Sequence, residues 1–418
     1  MNNTGIERTQ NMDIESLVKI YEDGSFNDKD VLTWETWYTL AKHFRMKGKN
    51  KESYECAIKG LQSVVPIDKK LLLYEEVAIT AFYLGYMKEG YEACERVILS
   101  SYAEHQTRNS TINNQQFYMT KLPFKTVHNI THPFPETYIG SSSSIVPYGD
   151  GFVMNVRCVN YTITNTGSYI IRDPQQIIRT RNYLLFFNKD LRIGKGMELE
   201  DTSDCKRYPK DFRGMEDIRL ILGCNAFLCT YPEINNSSIP QMCYCEYDIS
   251  TGKVTKVLPL MIGSELKPEK NWIPIIINSE VYLIYSISPC KIYKLNVQTG
   301  QLELMFHLLI EEPDINLSEF RGSGGMIPYK NGWLGTIHQV HYNNRRKYFH
   351  RFIWFNHDLT VMKYSRIFYF ESPNIEYNLS VCQSPTGLLV PYSVCDNSTK
   401  LGILEYDVLD SLFPNGLI

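Results

Sequence analysis

The sequence predicts a mainly β protein, a five-bladed β-propeller behind an N-terminal α-helical, tetratricopeptide-like region. Three observations predict it. Apolar spacing is helical up to about residue 105, and the stretch from Trp34 to Ser100 repeats itself. From Ser141 onward, short apolar strands alternate with Gly, Asn, Asp and Pro turns. Among those strands a polar hairpin recurs, as YDISTGKV at 247–254, KLNVQTGQL at 294–302 and WFNHDLTV at 354–361.

In the helical part, residues 1–105, Ala41 and Ala78, Gly48 and Gly85, Glu52 and Glu89, and Tyr54 and Tyr91 recur at an offset of about 37. That offset is near the length of a tetratricopeptide unit. Gly48 and Gly85 then fall at the turns between paired helices. Two units cannot cover their own apolar faces, so the region is expected to brace the β body. A groove for a protein partner is the alternative. Residues 106–140 contain Pro123, Pro133 and Pro135 and read as a connector. His128 and His132 lie there without a third ligand nearby in sequence, so no metal site is expected.

Within residues 141–418, each outer hairpin follows an inner pair such as IIINSEVYLIYS or MIPYKNGWLGTIH. Two hairpins make four strands, the content of one propeller blade. Units begin near residues 141, 214, 271, 324 and 380, which gives five blades. A β-sandwich would need no such repetition.

Composition bounds the function. The chain has 418 residues with 43 Lys and Arg against 46 Asp and Glu, a formal net charge of −3. No basic excess exists to neutralise a nucleic-acid backbone. The 43% hydrophobic and 21% charged contents are globular and exclude general disorder. Eleven cysteines without a CxxC pair suit reduced thiols in a cytosolic protein. The start, MNNTGIERTQNMDIESL, has no apolar signal core, and no apolar run approaches the roughly 18 residues of a membrane span. A cytoplasmic protein without membrane or nucleic-acid partners is expected.

In a propeller the first strand of each blade lines the channel, so polar residues on those strands are the informative ones. Four segments carry them. NVRCVNYT holds Arg157 and Asn160. FRGMEDIRLI holds Asp217 and Arg219 two apart, on one face of a strand by alternation, with Glu216 on the other. PEKNWIPI puts Lys270, Trp272 and Pro274 on one face, opposite Glu269 and Asn271. RGSGGMIPYKNGWLGTIHQVHYNNRRKYFHRF holds a Gly-rich turn at 322–325 and His338, followed on the next strand by Tyr348, His350 and Arg351. That turn fits neither a Walker nor a Rossmann phosphate loop. Asp217 with Arg219 also fits a structural ion pair, and His338 a satisfied interior histidine. Charged groups on several inner strands are costly unless paired or used. One acid among cations and aromatic walls suits a sugar carrying or receiving a phosphate, with no cofactor.

Together, GMEDIRL, EKNWIPI and GSGGMIPYKNGWLGTIHQV resemble the inverting β-mannoside phosphorylases. They are similar also to the related β-1,2-mannosyltransferases of kinetoplastid parasites, built on the same five-bladed propeller. The resemblance spans roughly residues 141–410. It implies Asp217 as the acid/base, acting through a sugar hydroxyl. It implies Arg157 and Arg219 as its cationic neighbours, and Lys270, Asn271 and His338 near the phosphate. Asn160, Tyr348 and Arg351 complete the expected substrate- and phosphate-binding set. Ile218 stands where the family motif has Pro, Asn271-Trp272 where it has Asp-Ala, and Gln339 where it has Gly. The implied activity is glycosyl transfer or phosphorolysis at β-mannoside-like linkages, between a sugar phosphate or inorganic phosphate and a glycan acceptor. A nucleotide-sugar-dependent transferase and a non-catalytic glycan- or protein-binding scaffold are the alternatives.

Overall fold

The computed structural model describes residues 12–24, 32–164, 167–205, 212–221, 225–230, 239–263, 268–308, 316–343, 345–414 and 416–417. The protein is mainly β and divides into two compact units, Met1–Thr120 with Glu312–Asn316, and Lys121–Glu311 with Leu317–Ile418.

The first unit is helical: α1 (Ile14–Glu22), α2 (Trp34–Met46), α3 (Asn50–Gln62), α4 (Ile67–Leu84), α5 (Met87–Ile98) and α6 (His105–Gln115). Asp13 and Thr33 cap α1 and α2 by accepting from the backbone N–H three residues on. Gly48 and Gly85 turn between α2 and α3 and between α4 and α5, with φ of 74° and 76°, a left-handed conformation that glycine adopts without strain. The repeated positions Ala41 and Ala78 are buried, and the hydroxyls of Ser53 and Tyr118 donate to their carbonyls. Small residues thus let the helices approach closely. Helix α6 lies in the segment read from sequence as a connector. Its sequence, HQTRNSTINNQ, lacks an apolar stripe, which is why periodicity did not reveal it.

Among the described residues the second unit has five antiparallel sets of four or more strands, besides a short separate hairpin. The first pairs Ile139–Tyr148, Gly151–Val159, Ile178–Phe187 and Ile193–Asp201 in that order. The second runs Glu216–Ile221, Asn225–Thr230, Gln241–Asp248 and Lys253–Pro259. The third runs Ile273–Ile277, Glu280–Ile287, Cys290–Leu295 and Leu302–Leu308. In the fourth, two short strands, Arg321–Gly322 and Ile327–Pro328, lie against Gly332–Asn343, followed by Arg345–Asn356 and Met362–Tyr364. In the fifth, Glu376–Tyr377 and Cys382–Ser384 lie against Gly387–Val394, followed by Thr399–Leu404. Thr126–Asn129 adds to the outer side of this last set. The expected connector therefore contributes a strand as well as a helix.

Apolar layers join the sets in sequence. Val153 and Leu184 pack with Leu220 and Cys243, Phe227 and Tyr244 with Leu283 and Leu295, and Leu334 and Phe352 with Leu388 and Val390. Leu389 and Leu401 of the fifth set return to Ile145 and Met154 of the first. The third and fourth sets meet where Met326 N–H donates to the Pro274 carbonyl at 2.8 Å. The Gly-rich turn makes that approach possible. A Cβ on Gly322 would stand 2.3 Å from the Asn271 carbonyl oxygen, and one on Gly324 2.2 Å from that of Leu379. Gly324→Ala is therefore expected to destabilise the protein by about 3 kcal/mol, because rigid backbone cannot yield. Denaturant unfolding of the variant beside the parent checks this.

Candidate active site

The inner strands bring charged side chains from three sets together. Gly151–Val159 is buried along its whole length and carries Arg157. Ser144 ties the first set to the second, donating to the Ile218 carbonyl at 2.6 Å and accepting from Leu220 N–H at 3.1 Å. Beside that tie, Asp217 adopts φ of 50°, and the strand register shifts between Glu216 and Arg219. Such a bulge re-aims side chains that simple alternation would send to opposite faces.

The result departs from the expected separation of Glu216 from Asp217, since both reach Arg157. Arg157 Nη1 donates to Asp217 Oδ1 at 3.0 Å, and its Nη2 lies 3.5 Å from Glu216 Oε1. Ser142 Oγ donates to the same Asp217 oxygen at 3.1 Å. Lys270 Nζ stands 3.4 Å from Glu216 Oε2. Arg219 is fully buried, and its bonds go to uncharged acceptors. These are the Ser323 carbonyl at 2.5 Å, the Asp217 carbonyl at 3.0 Å, Asn271 Oδ1 at 2.9 Å and the Tyr377 hydroxyl at 3.1 Å.

A second departure follows from Asn271, whose φ is 68°. The chain turns there, so strand alternation does not govern residues 269–272. Lys270 and Asn271 both serve the cluster. Trp272 instead lies buried, donating its indole N–H to Glu269 at 3.0 Å.

His338 joins from the fourth set. Its Nδ1 lies 3.0 Å from Ser323 Oγ, and its ring stacks on Tyr348 at 5.8 Å and meets Tyr377 edge-on at 5.0 Å. Two expected binding residues are elsewhere. Arg351 pairs with Ile337, one position out of phase with the His338–His350 pair, and so faces the other side of the hairpin. It donates to the Ser365 carbonyl and lies over Phe320 and Tyr364. Asn160 uses both ends of its amide on backbone, donating to the Ile177 carbonyl and accepting from Arg179 N–H, and so braces residues 172–179. Conversely, Ser142, Tyr377 and Arg321 belong to the site but escaped the sequence reading. Arg321 pairs with His338 across the strands and is exposed. It immediately precedes the Gly-rich turn, the one signal that could have found it.

Burial would raise the Asp217 carboxyl, but Arg157, Arg219, Lys270 and the Ser142 bond together hold it below the ordinary carboxylate value. Burial likewise disfavours the Arg157 cation, yet Tyr161, Glu216, Asp217 and Asp396 keep it firmly charged. Side-chain exposure is 8% for Arg157, 11% for Glu216, 13% for Asp217 and 36% for Lys270. The cluster thus opens narrowly, on the Lys270 side. Chemically, it presents an ionised carboxylate able to accept a proton and cations able to hold an anion. Among the described residues no group of three His, Cys, Asp or Glu could hold a metal ion, and no helix is long and apolar enough to cross a membrane.

No family model matches the chain, and no curated protein matches it. Solved structures with a similar chain path include a β-1,2-mannobiose phosphorylase from Listeria innocua, in complex with β-1,2-mannobiose. It is 12% identical over 68% of this chain and 95% of that one, with a TM-score of 0.44. A mannose phosphorylase from Leishmania mexicana, in complex with phosphate ion, is 9% identical over 72% and 92%, with a TM-score of 0.41. A third structure, described under the GH130 family of mannoside phosphorylases, is 11% identical over 69% and 97%, with a TM-score of 0.45. At these scores the likeness assigns no residue a role.

The buried histidines give the site a pH signature. Burial pushes His350 down to about 3, and burial with the charges of His350, Arg321 and Arg219 takes His338 well below its ordinary value. Both are neutral at pH 7. Below about pH 6.5 the unfolded chain binds protons that the folded one refuses, so stability falls with pH. At pH 5 His350 is expected to cost about 2 kcal/mol relative to pH 7.5, and His338 adds to the loss in the same direction. Denaturant unfolding at the two pH values measures this, and His350→Phe should remove the His350 share of the loss, about 2 kcal/mol.

Proposed function

We propose that the second unit is a five-bladed β-propeller and a carbohydrate-active enzyme, catalysing glycosyl transfer or phosphorolysis at β-mannoside-like linkages. The five strand sets are its blades, and the helical unit is a tetratricopeptide-like appendage. One observation carries the catalytic reading: an ionised Asp217 sits beside a buried Arg219 whose bonds go to uncharged acceptors. A buried cation without a carboxylate directly against it is costly to folding, and its field favours an anion nearby.

An inverting hydrolase needs one carboxyl to protonate the leaving oxygen and another to activate water. Phosphate as nucleophile is already anionic and needs positioning by cations rather than a base. Asp217, held ionised by its cationic neighbours, is in the state that accepts a proton, as the synthetic direction requires. There the acceptor hydroxyl gives its proton to Asp217 while its oxygen forms the new bond to the anomeric carbon. The bond from that carbon to the phosphate oxygen breaks with inversion; a sugar phosphate bound as its monoanion departs as hydrogen phosphate, and Asp217 afterwards releases the proton it took to solvent. In phosphorolysis the steps reverse and Asp217 supplies the proton. Lys270, Arg321 and His338 are assigned to hold the phosphate, with Arg157 keeping the carboxylate in place.

Release of phosphate from mannose-1-phosphate with mannose as acceptor tests the reading. Asp217→Asn should lower the rate at least a thousandfold, read at a temperature well below the variant's own thermal midpoint because the change also removes a charge partner of Arg157. Full activity in that variant would remove Asp217 from the chemistry. Turnover of GDP-mannose alone would assign a nucleotide-sugar transferase, and mannoside binding without turnover of either donor would assign a scaffold.

A further inference from the structure

The long hairpin of Gly332–Asn343 and Arg345–Asn356 carries a second group of side chains beyond the Asp217 cluster. Its register pairs His338 with His350, Val340 with Tyr348 and Tyr342 with Arg346, which sets all six on one face. The face starts at His338 and ends at Tyr342 and Arg346, four residues along the strand or about 13 Å away. There a short hairpin, Tyr161–Ile163 with Tyr169–Ile171, meets it. The Arg346 guanidinium stands 6.0 Å from the Tyr169 ring centre, and its Nη2 donates to the Gly167 carbonyl at 3.4 Å. Tyr169, Tyr348 and Tyr342 all lie within electrostatic reach of Arg346. The Tyr169 ring is 4.9 Å from Tyr161, itself beside Arg157. Two of these rings are open to solvent, Tyr342 at 73% and Tyr169 at 45%.

We propose that this face is an acceptor subsite, where Tyr342, Tyr169, Tyr348 and Arg346 hold the outer rings of an oligosaccharide whose first ring lies at Asp217. The assignment rests on the glycosyl-transfer reading above. Aromatic faces with a polar tip suit the apolar C–H face and the hydroxyls of a sugar ring, and a guanidinium adds several donors in fixed geometry. Composition along the face argues against a polyanion. Arg345 shares a small hollow with Arg346 at the hairpin tip, but from there to His338 the face carries Tyr342, Val340 and Tyr348 and no further cation, so its length is aromatic rather than a basic patch. The occupant is a neutral chain of hexoses.

Calorimetric titration with mannose and with β-1,2-mannotriose tests the subsite. The parent protein should bind the trisaccharide at least tenfold more tightly than the monosaccharide. Tyr342→Ala and Arg346→Lys should each reduce that ratio threefold or more. Tyr342 is exposed, so its variant keeps the fold, and equal thermal midpoints verify this. A parent ratio near one, or a ratio unchanged in both variants, would overturn the proposal. Titrating Asp217→Asn separates the two readings. If that variant keeps full turnover while the ratio responds as expected, the catalytic assignment fails and the subsite stands.

Discussion

The ion pair between Arg157 and Asp217 is the constraint on which the site depends. Both partners are largely buried, and removing either would strand a charge in the interior, a loss of about 3–5 kcal/mol for buried pairs generally. The pair links the first two strand sets, and Ser142 and Ser144 reinforce the link from the first strand. Arg219 then reaches across to the third, fourth and fifth sets through Asn271, Ser323 and Tyr377. One guanidinium therefore fixes the relative positions of four strand sets around one carboxylate.

Backbone strain accompanies the cluster. Asp217 and Asn271 both hold left-handed conformations that side chains other than glycine seldom adopt. Each is held there by the bonds its neighbours make, and each breaks the alternation of its strand. Without the first, Glu216 would turn away from Arg157; without the second, Lys270 and Asn271 could not serve one site together. Strain of this kind persists where the surroundings over-determine it, and it concentrates at functional positions. The Gly-rich turn contributes by closeness instead, letting the backbone between Asn271 and Leu379 deliver the Ser323 carbonyl to Arg219.

Much of this was legible in the sequence. The starts of the strand sets, the outer hairpins and the glycine turns of the helical unit all follow from period and turn chemistry. Arg157, Asp217, Arg219, Lys270, Asn271, His338 and Tyr348 stood out as polar residues on apolar strands, and the structure brings them together. What alternation could not supply was the bulge at Asp217 and the turn at Asn271, because neither position carries the glycine that would announce it. Arg351 was a failure of a different sort. With Asn343 paired to Arg345, the same register places it opposite Ile337, so its exclusion was available from register alone. Helix α6 and the strand Thr126–Asn129 went unseen because neither carries a strong apolar pattern; tertiary contacts rather than propensity fix them.

Reading Asp217 as a carboxylate kept ionised by its cationic surroundings makes the electrostatics of that one group decisive. Carbon-13 NMR of aspartate-labelled protein, with Asp217→Asn used to assign the resonance, reports its titration directly. The account predicts a midpoint below the roughly 3.9 of an unperturbed aspartate. A midpoint above that value would show that burial outweighs the arginines, and would contradict an acid/base group poised by Arg157 and Arg219.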